Sequence, residues 1–454
     1  RGVGREMRNS SRFAARFLLI ALAIALALLS ACSSDQYEEA SPTAESASTV
    51  SDVNEAAETA APAGTTGNQS PSSSHAALQY SEDGLDIVFS GGGAKSIAQI
   101  GALKELEEQG ISYRRVVGTS SGSIMALMVA AGYSADEMAE AITERTPDGQ
   151  IILASFMDVP HSFEDEAVRD SLLFAFFEHF LDTVLPVETA DRLDESVMHQ
   201  LLEHPTLREA FSFIEFGGVY AGEQFLAWLE EKLDADGRNL SQLTLAEFHE
   251  ETGNDLTAII TDVTDHKMLI VNHRTAPDLP VAWLIRMSMS IPFVYNHVAW
   301  QPEWGTYLGQ DISGHEIVDG GVGSNFGIEM VVSVEPEFIE AMEIEPDRDR
   351  VVGLFLNDAI PVEGAEGTKP APEEINDPMH DRWLSVKERN QALLTTLLKN
   401  HDHFIVRTHP DVVCHLPVGG FDTLEFDMSE ERIELLMATG QEAMRDCLQE
   451  MELN

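Results

Sequence analysis

Between residues 85 and 131 the chain twice runs a short β-branched strand into a glycine-flanked turn and then into an apolar helix. Leu85-Asp86-Ile87-Val88-Phe89 ends in Ser90 and three glycines, after which Ile97, Ile100, Leu103 and Leu106 share one face of a helix that stops at Gly110. Val116 and Val117 form a second strand before Gly118, and residues 124–131 form its following helix, closed by Gly132. Strands joined in this way by helical crossovers lie parallel in one sheet with helices packed on its faces. Further strands are predicted at 256–261, 268–271, 316–318 and 351–356, with helices at 172–185, 224–233 and 430–449. An Asp427-x-x-Glu430 capping box is expected to start the last helix, and 361–377 reads as a loop. The fold class is therefore α/β with a mostly parallel central sheet.

Three motifs sit where strands end. Gly118-Thr119-Ser120-Ser121-Gly122 fits GxSxG, a turn in which flanking glycines let the chain reverse tightly around an accessible serine hydroxyl while the following helix N-terminus favours negative charge. Small-residue turns satisfy this pattern by accident, so its weight comes from the strand and helix around it. Ser90-Gly91-Gly92-Gly93-Ala94-Lys95 also joins a strand to a helix and leaves amides free to face an anion. It fails as a phosphate loop, since Ala94 precedes Lys95 and Phe89 holds the first glycine position, and it fails as a dinucleotide loop, since Ser96 holds the third. What is left is an oxyanion hole built by Gly91, Gly92, Gly93 and Ala94, or merely a tight turn. Asp319-Gly320-Gly321 closes the strand at 316–318. An aspartate before two glycines is ordinarily a turn, but at the carboxyl edge of a parallel strand it would share a crevice with Ser120.

Taken together and in this order, the three motifs resemble the signatures of the patatin-like phospholipase family. Arg286-Met-Ser-Met-Ser-Ile-Pro292 is similar to the family's segment before its aspartate strand, and residues 244–261 are similar to its middle section. Specific likeness covers 85–327 within a domain placed at 84–454, and 328–454 agrees only in general pattern. The resemblance implies a patatin-like three-layer α/β/α sandwich, a Ser120–Asp319 dyad without histidine, and hydrolysis of fatty acyl esters in phospholipids or other lipids without metal or cofactor. Lys95 would orient the glycine loop, approach a lipid phosphate, or stand solvated at the helix start. Two positions depart from the family: Ser96 replaces the usual glycine after the basic residue, and Gly327 stands where a proline commonly follows the asparagine. An L-serine resists positive φ, so Ser96 is expected to disturb the oxyanion turn if the turn needs that conformation.

Five arginines in residues 1–31 and the apolar run Phe17 to Leu29 read as an export signal, too short to span a bilayer comfortably, with Met7 as its expected start. Leu29-Ser30-Ala31-Cys32 resembles the bacterial lipobox, which implies cleavage before Cys32 and lipidation of its thiol. Ser33 and Ser34 imply sorting to the outer membrane of a Gram-negative cell. Residues 32–83 are rich in Ser, Ala, Thr, Glu and Pro and read as a disordered tether, reaching roughly 40 Å on average. Cys414 and Cys447 are expected as two buried thiols rather than a bridge, although export permits one.

With 28 Lys+Arg against 77 Asp+Glu the chain carries a net charge of −49, which repels phosphate backbones and excludes nucleic acid as a partner. The partners implied by the family resemblance and by the lipobox are a lipid substrate and a membrane surface. His380, His401, His403, His409 and His415 follow Asp319 in the order of a Ser-Asp-His hydrolase, the first alternative, but none has a supporting local pattern. A membrane-tethered lipid-binding protein without turnover is the second. Phe174, Phe176, Phe177 and Phe180 are expected as core, with an acyl-chain wall as the other reading.

Overall fold

The computed structural model describes residues 76–176, 179, 195–343, 347–368, 389, 396 and 405–451. The signal, Cys32, residues 33–75 of the tether, Phe177, Phe180, His380, His401 and His403 lie outside them, whereas residues 79–83, expected as the end of the tether, are strand and belong to the first element of the sheet. The sheet opens with β1 (Gln79–Phe89), β2 (Ser112–Thr119) and β4 (Asp255–Asp262), all parallel, and β9 (Val351–Pro361) and β10 (Val413–Gly419) extend it in parallel beyond β1. Crossover helices α1 (Ile97–Glu108) and α2 (Ser121–Ala130) fall where the apolar periodicity predicts them.

Alternating strand residues feed two cores, as a pleated strand must. Ile87, Phe89, Val116, Ala258 and Leu354 pack with α1 and with α8 (Glu430–Glu450), while Val88, Val117, Ile259, Val351 and Phe355 pack with Phe326 to Met342 and with Ile405 and Val412. The result is the three-layer α/β/α sandwich. Backbone meets backbone between α1 and α8: a Cβ on Gly101 would lie 1.8 Å from the Met437 carbonyl oxygen, and one on Gly440 would lie 1.9 Å from that of Ala98. Ser429, not Asp427, caps α8, its side chain accepting the Arg432 N–H, because Ser429 is the residue that holds extended φ/ψ immediately before the first helical turn.

The parallel rule fails at the strand that carries Asp319. β8 (Glu316–Asp319) runs antiparallel to β4, and β7 (Val298–Ala299) antiparallel to β8. β5 (Lys267–Val271) occupies one edge of β4 over Ala258 to Asp262, so β2 and β8 must share the other edge. They approach along it from opposite ends, Thr119 pairing with Ile259 and Asp319 with Ile260. Residues 300–315 join β7 to β8, and the two strands pair directly with each other, as antiparallel neighbours can without a crossover.

A small parallel pair, β3 (Gly218–Tyr220) with β6 (Phe293–Tyr295), lies outside the main sheet. Near it a satellite cluster of Phe163, Val168, Met198, Leu202 and Phe211 receives half-buried Phe174, but Phe176 is 41% exposed, so the phenylalanine-rich helix is only partly core.

Cys414 and Cys447 form a disulfide, contrary to the expectation of two thiols. The edge strand β10 lies against α8, and their Cα atoms stand 5.7 Å apart, inside bonding range. The bridge closes a 33-residue separation, so reduction is expected to lower stability by about 3 kcal/mol through restored unfolded-state entropy. Denaturant unfolding with and without reductant measures this, and coincident transitions would show that the two cysteines are unpaired in solution.

Candidate active site

Ser120 stands between the end of β2 and the first turn of α2 with φ 53° and ψ −131°, a strained setting for an L-residue at the N-terminus of a helix. Its glycine neighbours are required by contact. A Cβ on Gly122 would lie 2.5 Å from the Phe89 carbonyl oxygen, and one on Gly118 would lie 2.2 Å from that of Gly122. The head-to-head arrival of β2 and β8 imposes the same demand on Gly320, where a Cβ would lie 2.0 Å from the Ile259 carbonyl oxygen. Gly321 donates its N–H to Asp319 Oδ1 at 2.6 Å.

Asp319 is buried, and that burial pushes its carboxyl up to about 7; the Ser120 hydroxyl and the Gly321 amide act in the opposite direction by favouring the ionised form. Among the described residues Oδ2 has no well-aligned hydrogen-bond donor. That oxygen is therefore available to take a proton, and the neighbouring hydroxyl is that of Ser120.

Arg286 to Pro292 clamps both residues. Ser288 Oγ accepts the Ser120 N–H at 3.0 Å and donates to the Ile259 carbonyl at 2.8 Å. Ser290 accepts the Asp319 N–H on its backbone carbonyl at 2.9 Å. Arg286, buried, donates to Ser290 Oγ and to the carbonyls of Ala221 at 2.5 Å and Asn296 at 3.3 Å. Burial lowers its guanidinium to about 10, still charged at neutral pH. The likeness of this segment to the family was visible in sequence, but the roles of Ser288, Ser290 and Arg286 were not, because each acts through a partner distant in the chain.

The glycine loop lies beside Ser120, and a Cβ on Gly91 would come within 2.9 Å of the Ser120 Cβ. Two of its four amides are committed elsewhere: Gly91 donates to the Asn325 carbonyl and Ala94 to the Thr423 carbonyl, each at 2.9 Å. Gly92 donates to the Ser121 hydroxyl at 3.0 Å, and Gly93 donates to no acceptor among the described residues. An oxyanion would accordingly find the amide of Gly93, and that of Gly92 only by displacing the Ser121 hydroxyl, a narrower set than the four residues of the motif. Neither Asn325 nor Thr423 carried a sequence signal.

Both departures from the family have a place. The positive φ falls on Gly93, at +60°, while Ser96 has φ −62°, so the expected disturbance of the turn does not occur. Ser96 Oγ instead lies 2.5 Å from Ser121 Oγ, the hydroxyl that holds Gly92. At Gly327 a Cβ would lie 2.4 Å from Ile259 Cδ1, so close packing beneath the site explains a small residue there. Lys95 is buried and paired with Asp358 at 2.7 Å, which rules out the solvated reading.

A cleft enclosing about 620 Å³, part of it open to solvent, has Ser120, Gly93 and Ala94 at its polar end and Ile97, Met125, Phe156 and Trp228 among its walls. His409 is bonded to Thr408 and Ile405, and His415 packs on Phe355 and Asn357 at the far β9–β10 edge. The ligand-type cluster Asp262, Asp265 and His315 is internally satisfied, His315 bonding Asp262 Oδ2 at 2.8 Å while Oδ1 takes the amides of Thr264 and Asp265.

The chain is 30% identical over 365 residues to the uncharacterized protein YqhO of Bacillus subtilis, covering 78% of this chain and 95% of that one. Over 85 residues it is 39% identical to the cUMP-AMP-activated phospholipase of Escherichia coli, which is 17% of this chain and 27% of the relative. Among solved structures, VipD from Legionella pneumophila aligns at a TM-score of 0.41 and 16% identity, covering 85% of this chain and 72% of that one. The type III effector ExoU of Pseudomonas aeruginosa aligns at 0.34 and 15%, covering 82% and 54%. The model of the patatin-like phospholipases matches residues 87–332, the stretch that carries the serine turn, the glycine loop and the aspartate strand, and the chain belongs to the patatin-like phospholipase family, whose members are lipid acyl hydrolases.

Proposed function

We propose that this lipid hydrolase cleaves fatty acyl esters with Ser120 as nucleophile and Asp319 as its general base, through an acyl-enzyme. The observation that carries this reading is the Asp319 carboxyl: buried, lifted to about 7, one oxygen without a well-aligned donor, and beside the strained Ser120. A base near the working pH combines availability with driving force. Ser120 Oγ attacks the ester carbonyl carbon as its proton passes to Asp319, and the amide of Gly93, joined by that of Gly92 once the Ser121 hydroxyl is displaced, meets the developing oxyanion. Protonated Asp319 returns the proton to the leaving alcohol. Water, activated by the same carboxylate, then releases the acid and frees Ser120. The apolar cleft supports a hydrocarbon chain as the acyl group.

Export and membrane anchoring through Cys32 belong to the same proposal, with the residues from Cys32 to the start of β1 as the tether and the outer membrane of a Gram-negative cell as the location. Support comes from the lipobox-like Leu29-Ser30-Ala31-Cys32, and the Cys414–Cys447 bridge accords with an oxidising compartment. Among the described residues no helix is long and apolar enough to cross a membrane.

Ser120→Ala and Asp319→Asn should each lower kcat on a short-chain ester by about 10⁴-fold or more, and the double variant should be scarcely worse than either, since the two act as a unit. Stability separates the two variants. A carboxyl raised from 3.8 to about 7 on folding destabilises the native state progressively as pH rises through that interval, and fully above it. Asp319→Asn, which removes the buried charge, should therefore melt higher than wild type at pH 8; a lower melting temperature would mean that the ionised carboxylate supports the fold. If alanine at any of His380, His401, His403, His409 or His415 abolishes turnover in a folded protein, the dyad gives way to a triad.

The pH dependence of kcat/KM should show an acidic limb with a midpoint near 7, because protonated Asp319 cannot accept the serine proton. A limb centred near 4 would place the base in an unburied setting. Labelling of cells with radioactive palmitate should mark wild-type protein and spare Cys32→Ser, whereas equal labelling would remove Cys32 as the anchor point.

A further inference from the structure

The family match ends at residue 332, yet a turn almost a hundred residues later reaches the serine site. Between β10 and α8, Thr423 places its carbonyl oxygen against the glycine loop, accepting the Ala94 N–H at 2.9 Å; a Cβ on Gly93 would come within 2.1 Å of the same oxygen. Three residues on, the Phe426 ring joins the wall of the cleft that holds Ser120, with 8% of the residue exposed.

This turn is built to be stiff. Fully buried Arg432, from the first turn of α8, contacts Glu425 at 2.6 Å and donates to the carbonyls of Gly420 at 3.0 Å and Ala365 at 2.6 Å, with its guanidinium 4.2 Å over the Phe421 ring. Glu425 also receives the Asp422 N–H at 3.1 Å. The disulfide fastens the strand before the turn to the helix after it. Side chains fixed on both flanks leave Phe426 little room to move aside for a larger occupant.

We propose that Phe426 is a specificity-determining residue of the acyl pocket, limiting the length and bulk of the fatty acyl chain that Ser120 receives. The proposal rests on reading the cleft as an acyl-ester site. It assigns the limit to the segment beyond the matched family domain, so chain-length preference is set by residues that the family motifs do not include. Removal of the ring enlarges the cleft, and a larger ring narrows it. An apolar pocket discriminates by about ten-fold or more per methylene when a wall is rigid.

The test compares nitrophenyl butyrate, octanoate, laurate and palmitate as substrates of wild type, Phe426→Ala, Phe426→Leu and Phe426→Trp, in the full chain with the disulfide intact. Phe426→Ala should raise kcat/KM for palmitate relative to octanoate by about ten-fold, Phe426→Leu should raise it less, and Phe426→Trp should lower it. Thermal melts identify any variant that fails to fold, and the leucine form keeps most of the packing volume if alanine does not fold. In parallel, calorimetry on the Ser120→Ala background measures octanoate and palmitate binding, where alanine at 426 should shift the ratio of dissociation constants in the same sense. Unchanged ester profiles and unchanged binding ratios in folded variants would overturn the assignment of Phe426. Loss of all ester turnover in wild type, with fatty acid binding still responding to position 426, would instead overturn the hydrolase reading and leave the pocket assignment standing.

Discussion

A carboxylate sealed from water beside a strained serine is the constraint around which the rest of this molecule is arranged. Asp319 gains little from its immediate surroundings, with one amide on Oδ1 and the Ser120 hydroxyl near it, and no cation among the groups that shift its ionisation. Left alone, such a group would draw in water or swing outward. It stays because its backbone N–H is tied to Ser290, its strand is pinned along β4, and Gly320 fits only against the Ile259 carbonyl. Strain at Ser120 is held by the same hardware, since Ser288 links the serine N–H to that carbonyl. Ile259 is thus the point where Ser120 and the strand end that carries Asp319 are referenced to one backbone atom.

That arrangement depends on the direction of β8. Apolar patterning locates the strand and its terminal aspartate but contains nothing about direction, and the parallel expectation drawn from the first two strands was natural. A parallel β8 on the same edge of β4 would carry Asp319 away from the end of β2 and not toward it. With antiparallel pairing, Thr119 and Asp319 occupy consecutive positions along β4. Local motifs thus supplied the chemistry of the site, and a long-range pairing choice brought its halves together.

Legibility followed sequence distance. Ser120, the glycine loop, Asp319 and the first four elements were readable because strand, turn and helix preferences are local, and because contact-enforced glycines leave a visible pattern. Ser288, Ser290, Asn325 and Thr423 were unreadable as site residues, since each acts through hydrogen bonds to a partner far along the chain, and serine, asparagine and threonine are ordinary in loops. Cys414 and Cys447 gave a correct pair of candidates and the wrong state, because bridging needs the proximity of β10 to α8. Lys95 was left open among three readings for a related reason. Its partner, Asp358, sits at the end of β9, over two hundred and fifty residues away, and only that ion pair allows an ammonium to be buried there.

Ser96 shows how a departure from a family pattern is absorbed. The loop requires one residue of positive φ, and that demand is met at Gly93; the following positions enter a helical turn that any L-residue tolerates. A serine at 96 therefore costs no backbone strain, and its hydroxyl finds Ser121, whose own oxygen accepts the Gly92 N–H. A buried hydroxyl must be satisfied, and this one is satisfied by joining the network that holds the Gly92 N–H. A glycine at 96 would leave Ser121 to hold Gly92 without that neighbour. The substitution thus reads as a tightening of the loop and carries no sign of lost turnover, which removes half of the sequence support for a protein that only binds lipid. Gly327 removes the other half, since it lies against the side chain of Ile259, the residue whose carbonyl accepts the Ser288 hydroxyl that holds the Ser120 N–H.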